Sequence, residues 1–482
     1  MADRRPLEGR TVALVLDNPQ RDLAGLVLVA TVLAEQGVTC HLVPASLRMR
    51  ELFSLRPDLV LLFHLRRGFE RLVARLIESR IRIGVLDNEG GVWPDPDIYC
   101  ELQLADDALR RQVDFFCAWG PKLTGHLVEA GIYEPGQMVV TGCPRFDFLH
   151  DRWRPATGAG ASRGRRPRIL LNTSFSDANP RSWSLDAGIK QLRDDWGWSQ
   201  ERIDLVIGAQ TAGMMETIEL ARDVARDFPD AETVVRPHPF ESPDPYVSEL
   251  AGVEGLEVDA RGTSLQQLAR ATAAVQRSST TAIEAVLAGV PALQPAWITV
   301  ALPMPMVDAV SDPCATYPEL RDRLRAVLDG TYSPDPALEA RVAGVVGDWF
   351  HRIDGDAHRR VAEAILAHLP ERREVDDEAC ERILHGLGDP QPWRSRVPRL
   401  VRSRLGLPPE FSFRRLGAPS PGDWLAPDQR FSVDDVAAVP TRLHGARREA
   451  GLPASRLSVG RAHERPGFPH RFPACSVTLF SG

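Results

Sequence analysis

Short apolar runs alternate with longer amphipathic stretches over the first 150 residues. The runs at 11–16 (TVALVL), 38–43, 58–63, 81–86 and 113–118 are rich in Val, Leu, Ile and Phe, and they have the length of buried strands. Between them, 23–35 and 69–78 follow a helical period. Residues 121–130 read as a helix with proline in its first turn and Gly131 just past its end. A strand at 137–141 closes the set. Strands separated by helices imply a parallel sheet covered on both faces.

Residues 155–167 (PATGAGASRGRRP) are small, flexible and basic, the composition of a linker. Their glycines follow no strand, which disfavours a phosphate loop. A second alternating series begins at 168. Strands are predicted at 168–171, 233–236, 256–259, 273–276 and 291–294, and helices at 209–227 and 281–287. Helices near 317–329, 336–348 and 356–368 complete it. The predicted fold class is therefore α/β, with two doubly wound Rossmann-like domains facing a cleft. The expected division is 1–154, a linker at 155–167, 168–370, and an irregular extension over 371–482. That extension is rich in Pro, Arg and Gly, with short helices expected at 376–386 and 433–445. It carries no assigned chemistry.

Composition narrows the picture. The 482 residues allow two or three domains, and a formal net charge of −7 argues against a nucleic-acid binder that relies on bulk charge. No apolar run approaches the roughly 20 residues of a membrane span, and the first six residues hold no apolar leader. Seven scattered cysteines (Cys40, Cys100, Cys117, Cys143, Cys314, Cys380, Cys475) without a C-x-x-C pair point to reduced thiols in the cytoplasm. Of 58 basic residues only Lys122 and Lys190 are lysines, a coding bias first of all.

Five loops at predicted strand ends hold most of the unusual polar residues, where a doubly wound sheet places its ligand contacts. In the first, DNEGG at 87–91, Gly90 and Gly91 permit a tight turn. A carboxylate there, Glu89 ahead of Asp87, suits a general base. The competing reading is a turn with solvated acids. In TGCPRFD at 141–147, Arg145 is expected to pair with Asp147 or Glu89, to touch a ligand, or to belong to a structural turn. Asn172, Thr173 and Ser174 could bond phosphate oxygens or cap a helix. In RPHPFE at 236–241, two prolines stiffen His238, which beside Arg236 could neutralise or protonate a leaving phosphate.

The fifth loop places Ser278, Ser279, Thr280 and Thr281 where a helix begins, a candidate phosphate site, with Glu284 one turn in for ribose hydroxyls. Thr281-x-x-Glu284 also fits a capping box. Asp17 and Arg21 follow the first strand and either hold an acceptor or cap the first helix. Asp95-Pro96-Asp97 sits in a proline-rich loop and is set aside as a metal motif. Trp183, Trp196 and Trp198 are read as core rather than sugar-stacking residues.

The order of RDL at 21–23, LDNEGG at 86–91, TGCPRFD at 141–147, LLNTSFSDAN at 170–179, RPHPFE at 236–241 and SSTTAIEAVLAGVPAL at 278–293 resembles GT-B nucleotide-sugar glycosyltransferases. More narrowly, it resembles the bacterial capsule and lipopolysaccharide biosynthesis proteins of that fold. The R-P-H-P and S-S-T-T-x-x-E-A elements are shared with transferases that use cytidine nucleotides. The resemblance covers about residues 10–370. Cys143 departs from it, since a small polar residue such as Asn is commoner there.

The resemblance implies that Arg236, His238 and Ser279–Thr281 contact the donor phosphate, Glu284 faces the ribose, and Glu89 is the acceptor-side carboxylate. It further implies a cytoplasmic enzyme, with peripheral contact at the inner face of the plasma membrane as an added expectation. A nucleotide-sugar, CMP-linked first, is the donor and a glycan or lipid-linked saccharide the acceptor; no metal, no cofactor and no nucleic acid are expected. The alternatives are a nucleotide-sugar epimerase, a CDP-glycerol-type glycerophosphotransferase and a non-catalytic assembly subunit. The cluster Arg394, Arg396, Arg399, Arg402 and Arg404 reads as a solvated basic face, or as the membrane contact.

Overall fold

The computed structural model describes residues 7–45, 48–90, 96–153, 156, 166–194, 197–387, 434–439, 442, 457–461 and 477–481. Gly91, Asp95, Trp196, Cys475, the arginine cluster at 394–404 and most of 155–167 lie outside them.

The first half is one sheet. Its six parallel strands are β1 (Thr11–Leu16), β2 (Thr39–Pro44), β3 (Leu59–Leu62), β4 (Arg82–Leu86), β5 (Phe115–Ala118) and β6 (Met138–Val140), in the order 2-1-3-4-5-6. The second half contains β7 (Arg168–Asn172), β8 (Glu232–Arg236), β9 (Leu256–Val258), β10 (Ala273–Gln276), β11 (Ala292–Pro295) and β12 (Asp312–Cys314). Its order is 12-11-10-7-8-9, again all parallel. Strands such as β1, buried along nearly their whole length, explain the unbroken apolar runs, since helices cover both faces. The chain order reverses between β1 and β3 in one sheet and between β10 and β7 in the other. Loops leaving those strands open into a crevice, the place where such sheets bind ligands.

One helix of the expected second half returns to the first. The helix Ala357–His368, assigned to the second half, packs against the helix Pro19–Glu35 and against β4 and β5 of the first. Val361 and Ile365 are fully buried in the first half's core. Asp147 holds this helix in place, its carboxylate accepting from Ala357 N (2.9 Å), His358 N (2.8 Å) and His358 Nδ1 (2.8 Å). An anion at the free N–H groups of a helix start is a stable arrangement. The preceding turn, Val346–Phe350, lies so close to Gly120 that a Cβ there would meet the Trp349 carbonyl carbon at 2.4 Å.

The described residues of the extension include a few regular elements. The helix Asp377–Gly386 forms beside Arg48–Leu55. Two strands, β13 (Leu457–Arg461) and β14 (Val477–Ser481), form a hairpin, and β14 pairs antiparallel with β2 to extend the first sheet to eight strands. Of the helix expected at 433–445, the described residues 434–439 and 442 are helical.

Candidate active site

The two halves enclose a cavity of about 340 Å³. The polar first-half side chains on its surface are Arg21, Asn88, Glu89 and Arg145; Ser174, His238 and Ser278–Thr280 face them from the second. A smaller cavity of about 90 Å³ adjoins it, with Arg21 and Arg145 as common wall and Glu284 also on its surface.

The first-half groups form a charged network. Arg66, in the loop after β3, donates from Nη2 to Glu89 Oε2 at 2.9 Å and lies 3.5 Å from Asp87 Oδ1. Arg21 Nη1 stands 3.7 Å from Glu89 Oε1, and Arg21 also pairs with Asp17 (3.0 Å) and Asp22 (2.9 Å). Burial alone would raise the Glu89 carboxyl; Arg66 and then Arg21 outweigh it and hold the group down to about 2. Asp87, by contrast, is fully buried. It accepts from Tyr99 Oη (2.7 Å) and from Glu89 N (2.7 Å), and its burial raises its pKa against the pull of Arg66. It does not line the cavity, so the catalytic role expected for it is replaced by one of holding the Glu89 turn. Gly90 is likewise pressed on Trp119, where a Cβ would stand 3.2 Å from the ring.

Asp17 lies behind Arg21 and accepts from Asn88 Nδ2 at 3.0 Å. Asn18, not Asp17, caps the first helix, accepting from Gln20 N and Arg21 N. Burial raises Asp17 to about 6, against the lowering effect of Arg21. A carboxyl raised from 3.8 stabilises the fold fully below its unfolded pKa, and that contribution is lost as pH rises through 6. Asp17→Asn is therefore expected to gain on the wild type by about 2–3 kcal/mol between pH 4 and 7.5. Paired urea unfolding curves at the two pH values measure this, and a constant difference between the proteins would refute it.

Arg145 meets neither of its expected partners. Asp147 is taken by the returning helix and Glu89 by Arg66 and Arg21. Gly25 of the first helix approaches the Arg145 backbone so closely that a Cβ would meet its N at 2.8 Å. The guanidinium lies 4.8 Å from the centres of the Trp119 and Phe146 rings, and its Nε is 4.0 Å from Glu284 Oε1 across the interface. Cys143, the departure in this loop, is buried against the core, and burial pushes its thiol up to about 12.

In the second half, Glu241 organises two loops. Its Oε1 accepts from Thr173 Oγ1 (2.9 Å) and Phe175 N (2.8 Å), and Oε2 accepts from Tyr246 Oη. Thr173 is consumed by this bond, Asn172 is buried off the cavity, and Ser174 alone of the three reaches the cavity surface. His238 lines the cavity. Burial, then Arg21 and Arg236, lower its ring to about 3, so it is neutral at pH 7. Phe240 N donates to His238 Nδ1 at 3.3 Å, which leaves the ring proton on Nε2. The expected proton donor is therefore corrected to a neutral N–H donor. Arg236 also differs from expectation. It is 4% exposed, off the cavity surface, and lowered by burial against the fields of Glu284 and Asp259.

At the fifth loop Ser278 takes a left-handed backbone (φ 49°), sparsely populated for any residue but glycine and a form of strain found at functional sites. Its hydroxyl donates to Asp308 (3.1 Å), which also receives Arg277 and Gln294, so Ser278 shapes the loop as well as lining the cavity with Ser279 and Thr280. Thr281 Oγ1 bonds Ser279 Oγ at 3.0 Å and does not line it. The capping box does not form: Thr280 is the N-cap residue, without a side-chain bond, and Glu284 Oε2 is buried with no partner.

Several contributors went unassigned in the sequence. Arg66 follows its strand as the five chosen loops follow theirs, so the strand-end rule would have found it. Asp177 lines the cavity, bonded to Gln210 (2.8 Å) and raised by burial. Trp198 lines it too, with Arg202 4.3 Å over its ring, and Trp183 is 44% exposed; neither is the core residue expected.

No protein-family model matches the sequence, and a search of curated proteins finds no match. Among solved structures, the chain is similar to S. aureus MnaA solved with UDP (13% identity, 76% of this chain and 99% of that one, TM-score 0.47). It is similar also to a UDP-GlcNAc 2-epimerase of Neisseria meningitidis bound to UDP-GlcNAc (13%, 74% and 100%, 0.47). A third is the wall teichoic acid polymerase TagF (8%, 76% and 90%, 0.47). The activities in those names belong to those proteins. This chain's own two wound halves, each with six parallel strands about one cleft, make it a GT-B-type α/β protein.

Proposed function

We propose that the chain is a nucleotide-sugar-dependent glycosyltransferase that moves a sugar to a glycan or lipid-linked acceptor in surface-polysaccharide synthesis, with a CMP-linked donor the first to test. One observation carries the reading: an ionised carboxylate from one half, Glu89, faces the neutral N–H donor His238 and the hydroxyls of Ser279 and Thr280 from the other. The acceptor oxygen attacks the sugar carbon, its proton passes to Glu89, and the carbon–phosphate oxygen bond breaks with its electron pair leaving on the nucleotide. His238 Nε2–H, Ser279, Thr280 and Arg21 meet the charge that grows on the departing phosphate. The ribose hydroxyls fall to Glu284, whose buried Oε2 is without a partner.

The test incubates the protein with CMP-, CDP-, UDP- and GDP-linked donors and measures nucleotide binding and release. Tight binding of one nucleotide class, with release that depends on an acceptor, is the expected result. Release, without an acceptor, of a free sugar inverted at one carbon makes the chain an epimerase instead. No binding of any nucleotide overturns both readings.

A further inference from the structure

The C-terminal extension reaches the smaller cavity. β14 is hydrogen-bonded to β2 at the edge of the first sheet, and Val436 (0% exposed) and Val439 (4% exposed) are buried in the core that surrounds the helix Pro19–Glu35. This part of the extension is built into the first half. From there Val439 and the exposed Arg442 line the smaller cavity, opposite Thr263–Gln266 and Glu284 of the second half.

The cavity wall contains polar atoms that the protein leaves unsatisfied. Arg145 Nε and Glu284 Oε2 are buried without a hydrogen-bond partner, on residues 7% and 5% exposed, and Nε is 4.0 Å from the other Glu284 oxygen. A buried polar atom left unmet is costly, so orphans of this kind mark a place where something else bonds. A carboxylate oxygen that accepts, guanidinium N–H groups that donate and the apolar Ala24, Leu265 and Val439 suit a group with hydroxyls on one side and a flat apolar face on the other. At about 90 Å³ the space is well short of the roughly 300–1,000 Å³ of a whole-ligand site. It takes one end of a ligand whose remainder lies in the larger cavity beyond Arg21 and Arg145.

We propose that the C-terminal extension is a wall of the nucleotide site, with Val439 packing on the nucleoside end of the donor and Arg442 donating to it, opposite Glu284. The inference rests on the proposed nucleotide-sugar reading and adds to it a segment outside the two wound halves. Ligand binding then ties the extension, the first half and the second half together.

The test uses the full chain. Binding of CMP, CDP, UDP and GDP is measured by calorimetry for the wild type and for Arg442→Ala, and amide exchange over 434–442 is followed with and without nucleotide. The expected result is about a tenfold weaker Kd for Arg442→Ala, an unchanged melting temperature without ligand, and slower exchange over 434–442 when nucleotide is bound. Equal Kd values with unaltered exchange overturn the inference and leave the nucleotide-sugar reading standing. A wild type that binds none of the four nucleotides overturns that reading, and the inference with it.

Discussion

His238→Ala is expected to lower kcat by about 10²–10³-fold, the usual loss when one preorganised donor to a developing charge is removed. His238→Gln, which retains an N–H donor, should recover part of that loss. The pH dependence separates this role from acid catalysis. With Arg21 and Arg236 beside it and burial around it, the ring sits near 3 in the free protein and stays neutral from pH 5 to 9. A neutral donor gives a kcat/KM profile with no inflection from His238 in that range, because that ratio reports the free enzyme. A protonated ring acting as acid would instead make activity fall as pH rises past about 6.5. A fall of that kind, absent from His238→Gln, would show the imidazolium to be the working form. Full turnover in His238→Ala would remove the residue from the mechanism altogether.

The frame of the molecule was legible because its cause is local. β1, β10 and the helix Thr281–Leu287 occupy the positions their apolar patterns predict, and the strand-end rule placed Glu89, His238, Ser279 and Thr280 on one cavity. What escaped was set by partners far away in the chain. Periodicity marks 357–368 as an amphipathic helix but cannot say which half it covers; Asp147, 210 residues earlier, decides that. Ser278 looks like a free hydroxyl until Asp308 is folded against it, and Thr173 until Glu241 is. Arg236 stands beside His238 in sequence, yet its side chain is enclosed away from the cavity in the fields of Glu284 and Asp259. β12 holds a proline in three residues and β13 a glycine in five, so neither carries a strong strand signal.

The charge network around Glu89 leads to the second large effect. Glu89→Gln is expected to reduce kcat by about 10²–10⁴-fold, the range contributed by a positioned base, with the nucleotide Kd little changed because the residue lies on the acceptor side. A carboxylate held near 2 is a weak base, and the pairing with Arg66 and Arg21 is what makes it so. The nucleotide's phosphate competes for Arg21 in the proposed complex, which loosens one of the two clamps when the donor is in place. Removing the other clamp tests the idea directly. In Arg66→Met the burial that raises the Glu89 carboxyl is opposed chiefly by Arg21, so its pKa rises and the acid limb of kcat/KM moves up toward neutrality. Activity at pH 5 should then fall relative to pH 8, whereas the unmodified clamp keeps Glu89 ionised at both. Measuring both proteins in the Asp17→Asn background removes one further carboxyl raised by burial, to about 6. An acid limb that stays where it was, with Glu89→Gln inactive, would mean that Glu89 orients the acceptor as a permanent anion and the proton leaves by another route.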